Sequence, residues 1–363
     1  MRFIHMGDVH LGAEPESGTP LGMVRKAEIW EAFRRVLTVC EKEQVDLLLL
    51  PGDLFHGQPL LRDVKEVSYL LGQLTKTKVV MIAGNHDCLL PDSHFFDVEF
   101  PENVTFLMST QGDSVYFPEL NTQVFGLSYE VKQIPEARYD ALQIEDAERI
   151  NILLAHGNIR PGSNDKSIPL HKEVIEKQGF DYAALGHIHT RFPISDRIAY
   201  SGSFEPLERK ETGEKGYIRG KITKEPGEKA SLYWEFVSNA VRNYTALTVE
   251  VSAQDTELSV CDKVESEIKK SGMQHMYLLK LTGKCCAELR LRSEPMLAEL
   301  EKRGCLIVEW TDETVPDFDM EALMQEHQGD FLGKYLNRLL CETEGELGKK
   351  AAEYGLQALI TSK

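Results

Sequence analysis

Five short segments of this chain place metal-binding side chains directly after an apolar run. The segments are GDVH, GDLFH, GNHD, AHG and GHIH, and they follow RFIHM, LLLLP, VVMIA, NILL and YAAL. Short apolar runs that end in a glycine turn are typical of buried strands. In doubly wound folds, ligands bind at the carboxyl ends of parallel strands. The pattern therefore predicts a sheet whose strand ends share one site.

Stretches with helical spacing separate these apolar runs. Residues 28–43 and 64–74 both place apolar side chains at intervals of three and four. Alternating strands and helices predict an α/β fold with helices on both faces of the sheet. Short strand-like stretches at 104–127, and again after Ile198, favour a mixed sheet or a two-sheet sandwich over a purely parallel sheet.

The composition changes near residues 239–243, which predicts a domain boundary. TALTVEV, DTELSVCDKVESEIKK, MYLLKLTG, EPMLAELEKR and CLIVEW follow in the order strand, helix, strand, helix, strand. We therefore expect a first domain at 1–242 and a small α/β domain at 243–313. Apolar residues at 323–340, and again at 347–359, predict amphipathic helices within 314–363. Packing on the small domain and docking of a partner are both open for these helices.

The composition is that of a globular protein. Of the 363 residues, 42% are hydrophobic and 27% are charged. No apolar run approaches the roughly 20 residues that span a bilayer, and the strand-like start predicts that there is no signal peptide. Seven cysteines without CxxC spacing indicate reduced thiols in a cytoplasmic protein. We interpret Cys88, which follows GNHD, as a buried thiol rather than a metal ligand.

The formal net charge of −17 disfavours a chain that grips nucleic acid alone. Basic residues gathered on one face, bound metal ions or a partner would each resolve this conflict. A polar loop at 157–169 follows the AHG segment, and Arg160 or Lys166 could contact substrate there.

The five segments supply oxygen and nitrogen donors, and they include no thiolate. The candidate ligands are Asp8, His10, Asp53, Asn85, His156, His187 and His189. This set is too large for one tetrahedral zinc ion, but it suits two ions that share a bridging carboxylate. Two divalent ions roughly 3.5–4 Å apart stabilise both oxygens of a phosphoryl displacement and lower the pKa of a bridging water. The donor set therefore predicts hydrolysis of a phosphoester.

In this order, the five segments resemble the motifs of the calcineurin-like metallophosphoesterases, over the N-terminal two thirds of the chain. GDVHLG, GDLFH and the segment Tyr200–Tyr217 are most similar to the branch of the SbcD-type exonuclease subunits of double-strand-break repair. The resemblance implies a four-layer α-β-β-α sandwich. It also implies two divalent metal ions, manganese in this branch and iron, zinc or magnesium as alternatives.

The resemblance also implies a role for each matching residue. One ion would be held by Asp8, His10, Asp53 and His189. The other would be held by Asp53, Asn85, His156 and His187. His86 would act as general acid, and Asp87 would orient it through a hydrogen bond. His56 would reach the substrate phosphate, and the alternative for its position is a surface histidine at the start of a helix.

These expectations lead to three hypotheses. The first is a DNA exonuclease, also an endonuclease, that works with an SMC-like coiled-coil ATPase of the SbcC type. In the resembling branch the small domain caps the site and touches DNA, the C-terminal helices dock on the ATPase, and the subunits form homodimers. The second is a phosphodiesterase or phosphatase acting on a nucleotide or phosphoprotein, which the net charge favours. The third is an interaction subunit that tethers the ATPase to DNA ends.

Overall fold

The computed structural model of this protein describes residues 1–162, 165–286, 289–341, 351 and 354–356. The chain divides into two compact units, Met1–Asn243 and Tyr244–Lys363. The described strands of the first unit are β1 (Arg2–His5), β2 (Leu47–Pro51), β3 (Lys78–Ile82), β4 (Val104–Phe106), β5 (Asp113–Phe117), β6 (Thr122–Gly126), β7 (Ile150–His156), β8 (Tyr182–Gly186), β9 (Phe192–Ser195), β10 (Ile198–Tyr200), β11 (Gly216–Thr223) and β12 (Ser231–Ser238). Its described helices are α1 (Pro20–Glu43), α2 (Leu61–Gly72) and α3 (Lys172–Gln178).

The described residues of the first unit build two six-stranded sheets. The first sheet has the order β12-β11-β1-β2-β3-β4, and the second has the order β5-β6-β7-β8-β10-β9. Strands β1 to β4 pair in parallel, as do β6, β7, β8 and β10. Antiparallel strands flank both parallel blocks. The predicted two-sheet sandwich of mixed strand direction is confirmed.

Alternation of side chains along β2 shows how the layers pack. Leu47 and Leu49 belong to the apolar core between the two sheets. Leu48 and Leu50 belong to the core under α1 and α2, because successive side chains on a strand point to opposite faces. Ile175 of α3 packs in a further core on the outer face of the second sheet. These layers form the expected α-β-β-α sandwich.

Helix α1 begins at Pro20 rather than at the predicted Glu28. Proline suits the first turn of a helix, where its missing N–H has no intrahelical acceptor. The added turns bury Arg25, whose guanidinium pairs with the buried carboxylate of Glu205. A buried charge interrupts the apolar pattern, which is why the sequence spacing misplaced the start of the helix.

The second unit is a small α/β structure. Its described elements are β13 (Tyr244–Val251), α4 (Glu257–Ser271), β14 (Met276–Cys286), α5 (Ser293–Lys302), β15 (Ile307–Asp312), β16 (Val315–Asp317), α6 (Met320–Glu326) and α7 (Phe331–Cys341). Strands β13, β14 and β15 are parallel neighbours, and β16 pairs with the end of β14, so the sheet continues past residue 313. Most of the predicted second helical stretch, 347–359, lies outside the described residues.

Candidate metal centre

Loops at the carboxyl ends of strands from both sheets bring the seven predicted ligands together. Strands β1, β2 and β3 of the first sheet lead into the loops of GDVH, GDLFH and GNHD. In the second sheet, β7 ends at His156, and β8 leads into the loop of GHIH. Parallel neighbours end on the same edge of a sheet, and β2 and β3 pack against β7 and β8. The donors therefore meet at one edge of the sandwich.

Four of these residues adopt a left-handed backbone conformation. The φ angles are 49° at Asp8, 52° at His10, 49° at Asp53 and 96° at His187. Residues other than glycine rarely adopt a positive φ angle, and the backbone strain costs of order 1–3 kcal/mol per residue. Strain of this kind concentrates at functional sites, where the surrounding structure fixes each side chain in place.

Glycines in the motifs permit close contact between the loops. A Cβ atom on Gly84 would lie 2.2 Å from Oδ1 of Asp53. Gly52 has a φ of +84°, and a Cβ atom there would lie 2.6 Å from Nδ1 of His156. A side chain at either position would displace a candidate ligand.

Hydrogen bonds at Nδ1 set the tautomers of two histidines. Nδ1 of His156 lies 2.8 Å from the carbonyl oxygen of Pro51, and Nδ1 of His189 lies 2.7 Å from Oε1 of Glu211. Both oxygens can only accept, so each Nδ1 carries a proton, and in the neutral ring Nε2 keeps the lone pair. These Nε2 atoms are therefore suited to bind a cation.

The donors form two groups that meet at Asp53. In the first group, Nε2 of His10 lies 3.0 Å from Nε2 of His189. In the second, Oδ1 of Asn85 lies 2.9 Å from Nε2 of His156 and 3.0 Å from Nδ1 of His187. Oδ2 of Asp53 lies 3.9 Å from Nε2 of His10 and 3.4 Å from Nε2 of His156. One carboxylate oxygen therefore lies between both groups.

Burial makes the electrostatics of these groups unusual. Burial raises the pKa of Asp8 to about 6. Burial acts in the same direction on Asp53, but the neighbouring histidines, His156 first, outweigh it and hold its pKa well below its usual range. Burial would lower the pKa of His156, but the carboxylate of Asp53 raises it to about 9. A bound cation would take the place of the proton on His156, so the donor set fits a metal ion.

The composition of the groups also fits divalent cations. Donor atoms of Asp8, His10 and His189 lie within 4.8 Å of one another, and the same is true of Asp8, Asp53 and His156. Imidazole and carboxylate donors suit manganese, iron and zinc. Cys88 is not part of these groups, since its side chain is buried in the apolar core of the second sheet. Arg160 and Lys166 are exposed on their loop.

His86 lies beside the predicted ligands. Its backbone N–H donates to Oδ1 of Asp53 over 2.8 Å, and its Nδ1 lies 3.0 Å from the carbonyl oxygen of His56. A cleft of about 540 Å³ is lined by His86 together with Asp53, His187 and His189. With Nδ1 fixed by a carbonyl, Nε2 is the ring atom available to a substrate in this cleft.

The expectation that Asp87 orients His86 through a hydrogen bond is wrong. Asp87 is fully buried, and its Oδ1 and Oδ2 accept the backbone N–H groups of Gly84 and Phe55 over 2.8 and 3.1 Å. The side chain therefore ties the GNHD loop to the GDLFH loop, while the carbonyl of His56 orients His86. Burial, and secondarily the charge of Asp53, raise the pKa of Asp87 to about 7.

The side chain of His56 is exposed at the rim of the site. Its Nδ1 lies 3.3 Å from Nδ1 of His10, and its ring stacks on that of His86 at 5.4 Å between centroids. Helix α2 begins at Leu61, so His56 lies in the preceding loop and not at the start of a helix. The structure thus places His56 beside the candidate ligand His10 and the candidate acid His86.

Several supporting residues were not singled out from the sequence. Burial would raise the pKa of Glu211, but the hydrogen bond and charge of His189, with the charge of Lys215, lower it to about 2. Tyr139 accepts the backbone N–H of His156, and Tyr129 donates to the carbonyl oxygen of His156. The only sequence signal for Glu211 was that it lies in the segment that follows GHIH.

The chain belongs to the calcineurin-like phosphoesterase family, whose model matches residues 1–191. The fold and the convergence of the five segments agree with this membership, so the protein is a metallophosphoesterase. Members of this family bind divalent metal ions. In the part of the chain that the structure describes, no helix is both long and apolar enough to cross a membrane.

The chain is also similar in sequence to curated proteins, among them the following three. An uncharacterized metallophosphoesterase, YhaO, from Bacillus subtilis is 29% identical over 68% of this chain and 65% of its own length. A component of the nuclease SbcCD from Staphylococcus epidermidis is 28% identical over 60% of this chain and 65% of its own. A DNA double-strand break repair protein Mre11 from Methanopyrus kandleri is 24% identical over 90% of this chain and 76% of its own. The chain thus spans less than two thirds of the first two relatives.

Proposed function

We propose that this protein is a metal-dependent phosphodiester hydrolase that cleaves DNA, as an exonuclease and endonuclease of double-strand-break repair. The observation that carries the proposal is the position of Asp53. Its Oδ2 lies 3.9 Å from His10 and 3.4 Å from His156, within reach of both donor groups, and His86 lines the same cleft. A shared carboxylate beside a separate proton donor suits phosphoester hydrolysis at two metal ions.

In this proposal, Asp53 would be a ligand of both of two divalent ions, and manganese is the proposed metal. Asp8, His10, Asp53 and His189 would hold the first ion. Asp53, Asn85, His156 and His187 would hold the second ion. When bound, such ions stabilise charge on the phosphoryl oxygens and lower the pKa of a water molecule at the site.

His86 supplies the proton in this proposal. The carbonyl oxygen of His56 accepts the N–H at Nδ1, so His86 acts as the acid in its imidazolium form, in which Nε2 carries a second proton that it donates to the leaving oxygen of the substrate. His56 itself lies at the exposed rim, where its imidazole can contact a phosphate of the substrate. Asp87 contributes by holding the two motif loops together.

The names of two relatives, a nuclease component and a DNA double-strand break repair protein, support DNA as the substrate. An SMC-like coiled-coil ATPase of the SbcC type is the proposed partner. It would add positive charge to a complex in which this chain carries a formal net charge of −17. We propose a homodimer in the cytoplasm, and the free thiols at Cys40 and Cys261 are consistent with a reducing compartment.

A phosphodiesterase or phosphatase acting on a nucleotide or phosphoprotein is the alternative. Lys210 lines the cleft but pairs with Glu208 over 2.6 Å, and this pairing weakens its attraction for a polyanion. The acidic net charge favours the same alternative.

One assay separates these proposals. The purified protein with manganese is offered linear duplex DNA, single-stranded DNA and a small chromogenic phosphodiester, with and without a coiled-coil ATPase. The nuclease proposal predicts DNA cleavage that Asp53→Ala abolishes. Turnover of the small ester but of no DNA, even with the ATPase present, contradicts it. A tethering role alone predicts that Asp53→Ala leaves the cellular phenotype unchanged.

A further inference from the structure

We infer that Glu211 is the positioning residue for His189, and that the segment after the GHIH motif is built to hold this ligand. The inference rests on the proposed two-metal site. Oε1 of Glu211 lies 2.7 Å from Nδ1 of His189, and that hydrogen bond turns Nε2 of the ring toward Nε2 of His10, 3.0 Å away. A carboxylate behind a metal-binding histidine fixes the tautomer and the orientation of the ring.

The second oxygen of Glu211 is held as firmly as the first. Oε2 accepts hydrogen bonds from Oγ of Ser203 over 3.0 Å and from the backbone N–H of Leu207 over 3.2 Å. Nζ of Lys215 lies 3.1 Å from the same oxygen, and both charged side chains are buried. Buried ion pairs of this kind contribute little net stability. The cost of burying this pair is therefore better explained by the geometry that it imposes on His189.

The same segment also holds the backbone of His189. Its carbonyl oxygen accepts from Nζ of Lys215 over 2.6 Å and from the backbone N–H of Ser203 over 3.0 Å. Gly202 permits this approach, because it has a φ of +79° and a Cβ atom there would lie 2.7 Å from the backbone nitrogen of Arg191. The segment after GHIH thus holds both the side chain and the backbone of His189.

This support lies outside the family match, which ends at residue 191. Ser203, Glu211 and Lys215 all follow that point in the chain. The site of this protein is therefore completed by residues beyond those that the family model covers. Loss of Glu211 should weaken binding of the ion that His189 holds, by roughly 10- to 100-fold.

The test measures manganese binding rather than turnover. Manganese is titrated calorimetrically into the wild-type chain, Glu211→Gln, Glu211→Ala and the control Glu214→Gln. Glu214 is an exposed carboxylate of the same segment, so its variant makes the same change in charge. We expect the Glu211 variants to lose roughly 10- to 100-fold in affinity for one of two ions. We expect Glu214→Gln to match the wild type.

A double variant separates positioning from a merely structural role. If Glu211 acts through His189, Glu211→Ala should cause no further loss of affinity in a His189→Ala background. If the Glu211 variants fail to fold, Ser203→Ala can be used instead. It removes one hydrogen-bond donor to the carboxylate of Glu211 and should still weaken binding of the same ion. Unchanged affinity for both ions, or losses that add in the double variant, would overturn the inference. A wild type that binds no manganese would instead contradict the proposed function.

Discussion

Nδ1 of His156 lies 2.8 Å from the carbonyl oxygen of Pro51, so the last residue of β7 in one sheet is bonded to the last residue of β2 in the other. The bond directs Nε2 of His156 toward Asp53 and Asn85. A single hydrogen bond thus aligns donors that the two sheets contribute separately.

Gly52, which follows Pro51, should be intolerant of a side chain. Gly52→Ala forces a positive φ on alanine and places a Cβ atom 2.6 Å from Nδ1 of His156. We expect it to lower the free energy of unfolding by about 1–3 kcal/mol and to weaken manganese binding. Urea unfolding and metal titration would measure both effects. Gly162→Ala is the control, because a Cβ atom there meets no atom within 4 Å among the residues that the structure describes. Equal behaviour of the two variants would refute the prediction.

Asp87 should matter for stability more than for orientation of the acid. Asp87→Asn replaces an acceptor of a backbone N–H by an amide NH₂, which leaves Gly84 or Phe55 without its partner. We expect a loss of about 1–3 kcal/mol in the free energy of unfolding. The exposed Asp92 in the same loop provides the matched control, Asp92→Asn. A fall in kcat at unchanged stability would instead favour a role for Asp87 in orienting His86.

Some features of the fold and of the site could be predicted from the sequence, and others could not. That the seven candidate ligands converge was predictable because each lies at the end of a strand or just after it, and strand ends in a parallel sheet share one edge. The hydrogen-bond partners of Asp87 were not predictable, because a carboxylate beside a histidine can accept from any nearby N–H group. Glu211 was missed because its contact with His189 depends on how a long loop folds back. The start of α1 was missed because Arg25 is buried through a distant partner, Glu205.

The buried pair of Arg25 and Glu205 should be sensitive to loss of one charge. Both side chains are fully buried, and Nη2 of Arg25 lies 2.7 Å from Oε2 of Glu205. Glu205→Gln should cost about 3–5 kcal/mol in the free energy of unfolding, because it leaves the guanidinium only partly compensated. The exposed pair of Lys26 and Glu14 provides a contrast, and Glu14→Gln should cost less than about 1 kcal/mol. Similar costs for the two variants in urea unfolding would contradict this account.

His5 should make stability depend on pH. The ring lies between the hydroxyl of Tyr182 and the carbonyl oxygen of Leu185, and burial lowers its pKa from 6.5 to about 3. The unfolded chain therefore takes up a proton near pH 6.5, whereas the folded chain does so only near pH 3. The stability that neutral His5 contributes is therefore complete above pH 6.5. It is lost as the pH falls from 6.5 toward 3, at about 1.4 kcal/mol of unfolding free energy per pH unit.

His5→Gln tests this prediction, because glutamine can serve the same two partners and does not titrate. Urea unfolding of both proteins between about pH 6 and pH 4 should show that the stability of the wild type falls more steeply, by about 1.4 kcal/mol per pH unit. Parallel curves for the two proteins would show that the protonation of His5 is not linked to folding.

We propose that His86 donates a proton beside the metal centre and binds neither metal ion. His86→Gln tests it most directly when bound manganese and DNA hydrolysis are measured on the same preparation. We predict that the variant keeps both ions with the affinity of the wild type, while the rate of hydrolysis falls by about 10²- to 10⁴-fold. Loss of the ions together with activity, or hydrolysis at the wild-type rate, would contradict the claim.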